Sequence, residues 1–102
     1  MNKKYPHKIG EYRLSHESLA SGESIAFHYH KGRAENCHIL SGEATFIIEQ
    51  TKIKKKVGES ISIKKNINHS IRNDDLVSLE WLEVSIVLDH RIEMDSDSYK
   101  ED

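Results

Sequence analysis

The stretch Gly22–Gly42, GESIAFHYHKGRAENCHILSG, places two histidines and a glutamate between two glycines in a strand-like pattern. From Ser24 onward the residues alternate with period two, so His28 and His30 would point to the same side of a β-strand. The other side takes larger apolar side chains, namely Ile25, Phe27 and Tyr29. Two imidazoles on one side of a strand are the arrangement that chelation of a metal ion requires.

A carboxylate and a third imidazole extend this pattern. Glu35 lies on the next strand-like segment, where it shares a face with Cys37 and Ile39. A distant histidine, His69, stands in a second stretch that starts at a glycine, GESISIKKNINHSIRN, residues 58–73. Any of these histidines alone is more simply a hydrogen-bonded strand residue. Taken together, the residues predict one metal site with four ligands: His28, His30, Glu35 and His69.

The rest of the chain also has period two rather than the 3.6-residue period of a helix. The segment EATFIIEQTKIKKKVGE reads as a β-hairpin that turns near Gln50 and Thr51. The segment LVSLEWLEVSIVL, residues 76–88, is rich in β-branched and aromatic residues and predicts a long strand. Many short strands at close spacing indicate an all-β barrel or sandwich.

Length and composition narrow the classes of protein. The chain has 102 residues, which suits a single domain, here predicted over residues 1–102 with its core at about 10–90. The acidic, polar segment 89–102 is predicted to be a loosely held tail. The formal net charge of −2 argues against nucleic-acid binding, because phosphates are neutralised by a basic excess.

The cellular location is predicted from two patterns that are missing in the sequence and from its cysteine content. No apolar run approaches the ~20 residues of a membrane span, and no apolar segment follows the basic N-terminal residues as in a secretory signal. The single cysteine, Cys37, agrees with a reducing compartment. We therefore predict a cytoplasmic protein that has a small-molecule partner and binds neither nucleic acid nor membrane.

The spacing of these residues resembles the two signature motifs of the cupin superfamily. The first motif, G-x5-H-x-H-x4-E-x6-G, matches at every defined position from residue 22 to 42. The second matches at Gly58, His69 and Asn73, but Lys64 replaces the usual proline and Asn66 the usual glycine. The latter change is mild, because asparagine tolerates a left-handed turn conformation better than other non-glycine residues.

The resemblance implies an all-β double-stranded β-helix, the cupin or jelly-roll barrel, with a metal inside one end. It implies the same four ligands as the residue pattern. Imidazoles and one carboxylate suit a divalent metal ion such as zinc, manganese, iron, nickel or copper, and the donor atoms do not choose among them. A homodimer is expected, because pairing can cover the strand edges of a short barrel.

A narrower resemblance is to the sugar-phosphate isomerase branch of cupins, the C-terminal domain of bifunctional mannose-6-phosphate isomerases. The segments HKGRAENCHILSGEA, HSIRN and LEWLEVS carry it. The chain departs from that branch at His28, where the branch usually has Gln, and in a shortened C-terminal segment. The resemblance implies a metal-dependent aldose–ketose isomerase for a sugar phosphate or related sugar.

In that enzyme Arg33 would hold the anionic group and Glu83 would shuttle the proton. Strand parity puts Glu83 on the face of Val77, Leu79 and Trp81, which favours an interior position. Arg33 could equally be a solvated cation, and Glu83 a surface carboxylate. Two alternatives use the same site: an iron-dependent dioxygenase, or a non-catalytic module that binds a small molecule or sugar.

Overall fold

The computed structural model describes residues 5–101, and nearly all of its regular structure is β-strand. The strands are β1 His7–Ile9, β2 Tyr12–Leu19, β3 Ser24–His28, β4 Arg33–Ser41, β5 Glu43–Ile48, β6 Thr51–Lys56, β7 Ser60–Ile63, β8 His69–Arg72 and β9 Leu79–Val87. The helical structure of this part of the chain is a 3-10 turn, Met94–Ser96. Over the same residues, no helix is long and apolar enough to cross a membrane.

The strands form two antiparallel sheets that enclose the larger of two clusters of buried apolar side chains. The first has the order β1-β2-β9-β4-β7 and the second the order β3-β8-β5-β6. Alternate residues of β4 and β9 are buried, as the period-two pattern predicted. Both sheets contribute to a single cluster of buried side chains: Leu19, Cys37, Ile39, Ala44, Phe46, Ile63, Ile71, Leu79 and Trp81. The predicted all-β double-stranded β-helix is therefore confirmed.

Two turns have the backbone conformation that the motifs require. The β5–β6 hairpin turns at Glu49 and Gln50, close to the predicted position. Asn66 has a φ of 65°, so the asparagine that replaces the usual glycine does adopt the left-handed conformation. Its N–H donates to the carbonyl of His30 at 2.7 Å, which ties this turn to the loop that carries a predicted metal ligand.

Strand β3 departs from the simple alternation that the sequence predicted. Its register against β8 shifts between Ile25 and His28, as in a β-bulge. Ile25 therefore packs on the core although it was expected on the face opposite His28, while Phe27 is 40% exposed. The prediction that Ile25 and Phe27 share a face is wrong, because the extra residue of a bulge reverses strand parity from that point.

The C-terminal residues pack against the barrel, so the prediction of a loosely held tail is wrong. Asp97 is fully buried and Met94 is 9% exposed. Tyr99 forms an antiparallel bridge with Tyr29, next to the end of β3. The polar residues that suggested a tail instead form buried hydrogen bonds with the barrel. Residues 1–4 and 102 of the predicted domain lie outside the described residues.

The edges of the two sheets are β1 and β7 in one and β3 and β6 in the other. Unpaired strand edges offer N–H and C=O groups to a second chain. These are the edges on which the expected homodimer would pair, and that assembly stays a prediction.

Candidate metal centre

Three histidines from separate parts of the chain meet inside the barrel. His28 ends β3 and His69 begins β8, and the two are direct partners in the sheet. His30 follows in the loop between β3 and β4. Ring nitrogens from the three residues lie within 4.8 Å of one another, and all three side chains are buried. The geometry therefore allows these three residues to hold one metal ion.

Backbone carbonyls fix which ring nitrogen each histidine offers. Nδ1 of His28 contacts the carbonyl of Ala26 at 2.8 Å, and Nδ1 of His69 contacts the carbonyl of Ile67 at 2.9 Å. Nδ1 of His30 contacts the carbonyl of Asp97 at 2.5 Å. A carbonyl only accepts hydrogen bonds, so each Nδ1 carries a proton, which leaves Nε2 as the ring nitrogen that could bind a metal. Metal-binding histidines are oriented in this way.

Glu35 lies beside this cluster. Its Oε1 is 3.1 Å from Nε2 of His30 and 3.8 Å from Nε2 of His69. Its Oε2 accepts hydrogen bonds from Nε of Arg33 and Oγ of Ser85, both at 3.2 Å. One carboxylate oxygen is thus held by the protein while the other faces the imidazoles. The compact cluster itself consists of the three histidines, and ligation by Glu35 stays a prediction.

The charge states of these residues suit a cation. Burial lowers the pKa of His28 to about 4 despite its bond to the Ala26 carbonyl, and burial also lowers the pKa of His69. Burial alone would raise the pKa of Glu35, but the His30 hydrogen bond and the charges of His30 and Arg33 hold it well below its usual range. Near neutral pH the site then has neutral imidazoles at His28 and His69 and a carboxylate, as metal binding requires.

The cluster opens into a cavity of about 140 Å³. Besides the residues already described, its walls include Glu17, Ile25, Ile71, Glu83 and Ser98. A second chamber of about 250 Å³ shares Ile25, His28 and Ser98 with the first and adds Ser24, Ala26 and Lys100. The two chambers therefore lie next to each other, with Ile25, His28 and Ser98 in the walls of both.

Arg33, one of the two predicted catalytic residues, is buried at the cavity wall. Its Nε donates to Glu35, and its Nη1 donates to the carbonyl of Met94 at 2.8 Å. Its Nη2 is 3.5 Å from Nε2 of His30, and the Tyr5 ring lies 5.6 Å from the guanidinium carbon. Because the guanidinium already donates to Glu35 and to the Met94 carbonyl, it positions the Glu35 carboxylate before any ligand binds.

Glu83, the other predicted catalytic residue, also lies inside. It is 4% exposed, and it lines the cavity. Nε1 of Trp81 donates to its Oε1 at 3.2 Å, and its carboxyl group also hydrogen-bonds with that of Glu35. The structure has Glu83 in the interior, as strand parity predicted, although Val77 of the same predicted face is 56% exposed and precedes β9. The catalytic role of Glu83 stays a prediction.

Three further residues near the site lie in the core or on the outer side of the sheet. Cys37 is fully buried within the core, as a small apolar filler would be. His38 points to the opposite side of β4, where its Nδ1 is 2.7 Å from Oγ of Ser60. Trp81 is fully buried in the core.

Several residues around the site were not found from the sequence. Ser85 alternates with Trp81 and Glu83 along β9, so strand parity could have placed it inside. Asp97, Met94 and Ser98 follow no periodic pattern. Their positions depend on how the chain folds back after β9, and no local signal shows that.

The two antiparallel sheets and the buried three-histidine cluster between them define the class of protein. A family model described as a cupin domain matches residues 15–85, and the chain belongs to this family. The match contains all four predicted metal ligands.

Relatives agree on the fold. A Thermotoga maritima protein named oxalate-binding protein is 34% identical over 70 residues, which cover 69% of this chain and 58% of that protein, so the match spans less than two thirds of the relative. A solved structure from Thermotoga maritima, described as a predicted oxalate decarboxylase, has a TM-score of 0.72 and 32% identity over 76% of this chain and 69% of that one. A Klebsiella pneumoniae protein with a double-stranded β-helix domain has a TM-score of 0.76 and 14% identity over 99% and 84% of the two chains.

Proposed function

We propose that this protein binds a small organic anion, of the oxalate class, through a divalent metal ion held by His28, His30, His69 and Glu35. The observation that carries the proposal is the convergence of the histidines with every Nδ1 bonded to a backbone carbonyl. The donor set fits a divalent cation because the imidazoles offer lone pairs and the carboxylate supplies negative charge. A bound cation would supply open coordination positions for carboxylate oxygens.

The charges of the cavity make anion binding depend on that metal. The cavity is lined by the carboxyl groups of Glu17, Glu35 and Glu83 and by one guanidinium, that of Arg33. Because Arg33 already donates to Glu35 and to the Met94 carbonyl, the protein itself offers little positive charge to an incoming anion. A divalent cation among the histidines would reverse this balance.

The size of the cavity favours a short ligand. A volume of about 140 Å³ suits a molecule of a few heavy atoms, such as a two-carbon dicarboxylate, and not a whole sugar phosphate. The relative named oxalate-binding protein supports the same class of ligand for this chain.

The first experiment is metal analysis of protein purified without chelator, followed by calorimetric titration with oxalate. We expect about one metal ion per chain, oxalate binding by the metal-loaded protein and no binding after metal removal. His69→Ala should lose both metal and oxalate. The matched control is His38→Ala, because His38 is a histidine of β4 that bonds Ser60 on the outer side.

The same samples separate binding from catalysis. Oxalate labelled with carbon-13 should remain unchanged in the presence of metal-loaded protein and air. Formate or carbon dioxide as products would show that the protein is an enzyme. Iron at the site together with oxygen uptake would favour the dioxygenase alternative. A wild-type protein that takes up no metal after reconstitution would overturn the proposal.

One observation favours an isomerase as a second candidate. The Glu83 carboxyl group lies in the cavity wall beside Glu35, where it could move a proton between neighbouring carbons of a sugar. A sugar phosphate would have to extend into the second chamber, where Lys100 is the cation available to its phosphate.

Two variants distinguish this candidate. Conversion of mannose 6-phosphate to fructose 6-phosphate by the metal-loaded protein should fall at least ~100-fold in Glu83→Gln, within the usual range for a general acid–base group. Lys100→Ala should raise KM for the sugar phosphate while leaving oxalate binding unchanged. Activity that survives Glu83→Gln would remove Glu83 from this role.

A further inference from the structure

The segment from Met94 to Tyr99, called here the C-terminal strap, crosses the loop that carries His30. Asp97 is fully buried at its centre. The carbonyl of Asp97 accepts the 2.5 Å hydrogen bond from Nδ1 of His30, 67 residues earlier in the chain. Of the three histidines, His28 and His69 are oriented by carbonyls two residues away, and His30 depends on this remote segment.

The Asp97 side chain holds the strap in that position. Its Oδ1 accepts from the N–H of Lys31 and its Oδ2 accepts from the N–H of Gly32, both at 2.9 Å. These are the two residues between His30 and Arg33. The contact is close, because a Cβ at Gly32 would lie 3.0 Å from Met94 Cε and 3.2 Å from Asp97 Oδ2. The Asp97 carboxylate therefore accepts from two adjacent backbone N–H groups, and this contact sets the position of the backbone carbonyl of Asp97.

Besides its contact with the His30 loop, the strap contacts Arg33 at the site and Tyr29 at the end of β3. The carbonyl of Met94 accepts from Nη1 of Arg33, whose Nε holds Glu35. At the other end, Tyr29 and Tyr99 exchange backbone hydrogen bonds of 2.9 and 3.0 Å. The strap thus orients one imidazole directly and one carboxylate through Arg33.

We propose that Asp97 is a positioning residue of the metal centre: its carboxylate docks the C-terminal strap so that its carbonyl fixes the Nδ1–H tautomer and the ring orientation of His30. The inference rests on the metal-binding part of the proposed function. Partners of this kind, behind a metal-binding histidine, typically change metal affinity by ~10–100-fold when they are removed.

The test compares full-length wild type with Asp97→Ala, Asp97→Asn and Asp95→Asn. Asp95 is the matched control, because it is an acidic residue of the same strap and takes part in none of the hydrogen bonds to the His30 loop described above. Zinc affinity is measured by competition with a chromophoric chelator, and cobalt-loaded samples give visible absorption spectra. We expect Asp97→Ala to bind zinc ~10–100-fold more weakly and to shift the cobalt bands, with Asp95→Asn unchanged.

Asp97→Asn keeps one acceptor oxygen and nearly the same shape, so it should fold even where the alanine variant does not. We expect its zinc affinity to lie between those of wild type and Asp97→Ala. A loss of overall stability alone would lower the unfolding midpoint without shifting the cobalt spectrum of the folded protein.

Nitrogen-15 spectra of the histidine rings in metal-free protein give a readout that does not depend on metal. In wild type, His30 should show the Nδ1–H tautomer, and in the Asp97 variants it should populate both tautomers. Wild-type zinc affinity in both Asp97 variants, or an unchanged His30 tautomer in them, would overturn this inference while leaving the metal site intact. Failure of wild type to bind any metal would instead overturn the proposed function.

Discussion

Nε2 of His30 lies 3.1 Å from Oε1 of Glu35, and both side chains are 4% exposed. The other oxygen of the same carboxylate accepts hydrogen bonds from Arg33 and Ser85. Glu35 is therefore fixed by one oxygen and offered to the imidazoles by the other. This is the arrangement by which a protein orients a carboxylate ligand before a metal arrives.

Replacement of Glu35 tests both halves of this arrangement. Glu35→Gln should weaken zinc binding at least ~10-fold and lower the stability of the metal-free protein by about 3 kcal/mol, because it leaves the Arg33 guanidinium buried without its carboxylate. Chelator competition and urea unfolding measure the two effects. Glu43→Gln is the control, since its carboxylate is 4.0 Å from Lys54 near the surface, where an ion pair contributes little. Equal zinc affinity in wild type and Glu35→Gln would exclude Glu35 as a ligand.

The buried histidines predict how the metal-free protein responds to acid. The folded state lowers the pKa of His28 from 6.5 to about 4 and also lowers that of His69, so the unfolded chain binds protons first as the pH falls. Stability in the presence of chelator should thus be full above about pH 6.5 and decrease toward pH 4. Glu35 contributes stability above its unfolded pKa, near 4.5, and adds to the loss only below that value.

Urea unfolding at several pH values measures this dependence. His28→Asn removes one of the titrating imidazoles, so its stability should change less between pH 6.5 and 4.5 than that of wild type. An equally steep loss in the variant would show that His28 is not the group responsible.

Much of the fold and the candidate site could be predicted from strand parity and motif spacing. Alternation along β4 and β9 placed Glu35, Cys37, Trp81 and Glu83 inside, where the structure has them. The parity argument failed for Ile25, because a bulge changes the register of β3 and no glycine or proline marks its position. The histidines still meet, because His28 stands at the end of the bulge and His30 follows it.

The C-terminal strap could not be predicted, because it forms through contacts between residues far apart in the chain. Its acidic and polar residues have the composition of a solvated tail. Asp97 is buried where its carboxylate accepts hydrogen bonds from the backbone N–H groups of Lys31 and Gly32. Sequence periodicity contains no information on such a tertiary hydrogen bond.

Gly42, the last residue of the first motif, should be required by the fold rather than by the metal. Its φ is 79°, and a Cβ there would lie 2.6 Å from the carbonyl oxygen of Ser78. Gly58 has a φ of 86° but open space around its Cα. Gly58→Ala should cost about 1–2 kcal/mol from the left-handed backbone, and Gly42→Ala clearly more because the Ser78–Leu79 backbone must move. Urea unfolding that finds equal losses would show that the Ser78 contact does not matter.

Asn73, the last residue of the second motif, should likewise separate folding from metal binding. It is fully buried, its amide donates to the carbonyls of Leu19 and Val77 at 3.0 and 2.8 Å, and its oxygen accepts from the N–H of Asp75. Asn73→Ala leaves these backbone groups without partners and should lower the free energy of unfolding by about 3 kcal/mol.

None of the three side-chain hydrogen bonds of Asn73 described above involves a metal ligand, so the folded variant should bind zinc with wild-type affinity. Asn36→Ala is the matched control, because the Asn36 amide donates to Ser62 at an exposed position, and its stability should change by less than about 1 kcal/mol. Urea unfolding and chelator competition on the same samples measure both quantities. A loss of zinc affinity in Asn73→Ala under conditions where it is fully folded would mean that Asn73 also positions His69, which lies four residues earlier at the start of β8.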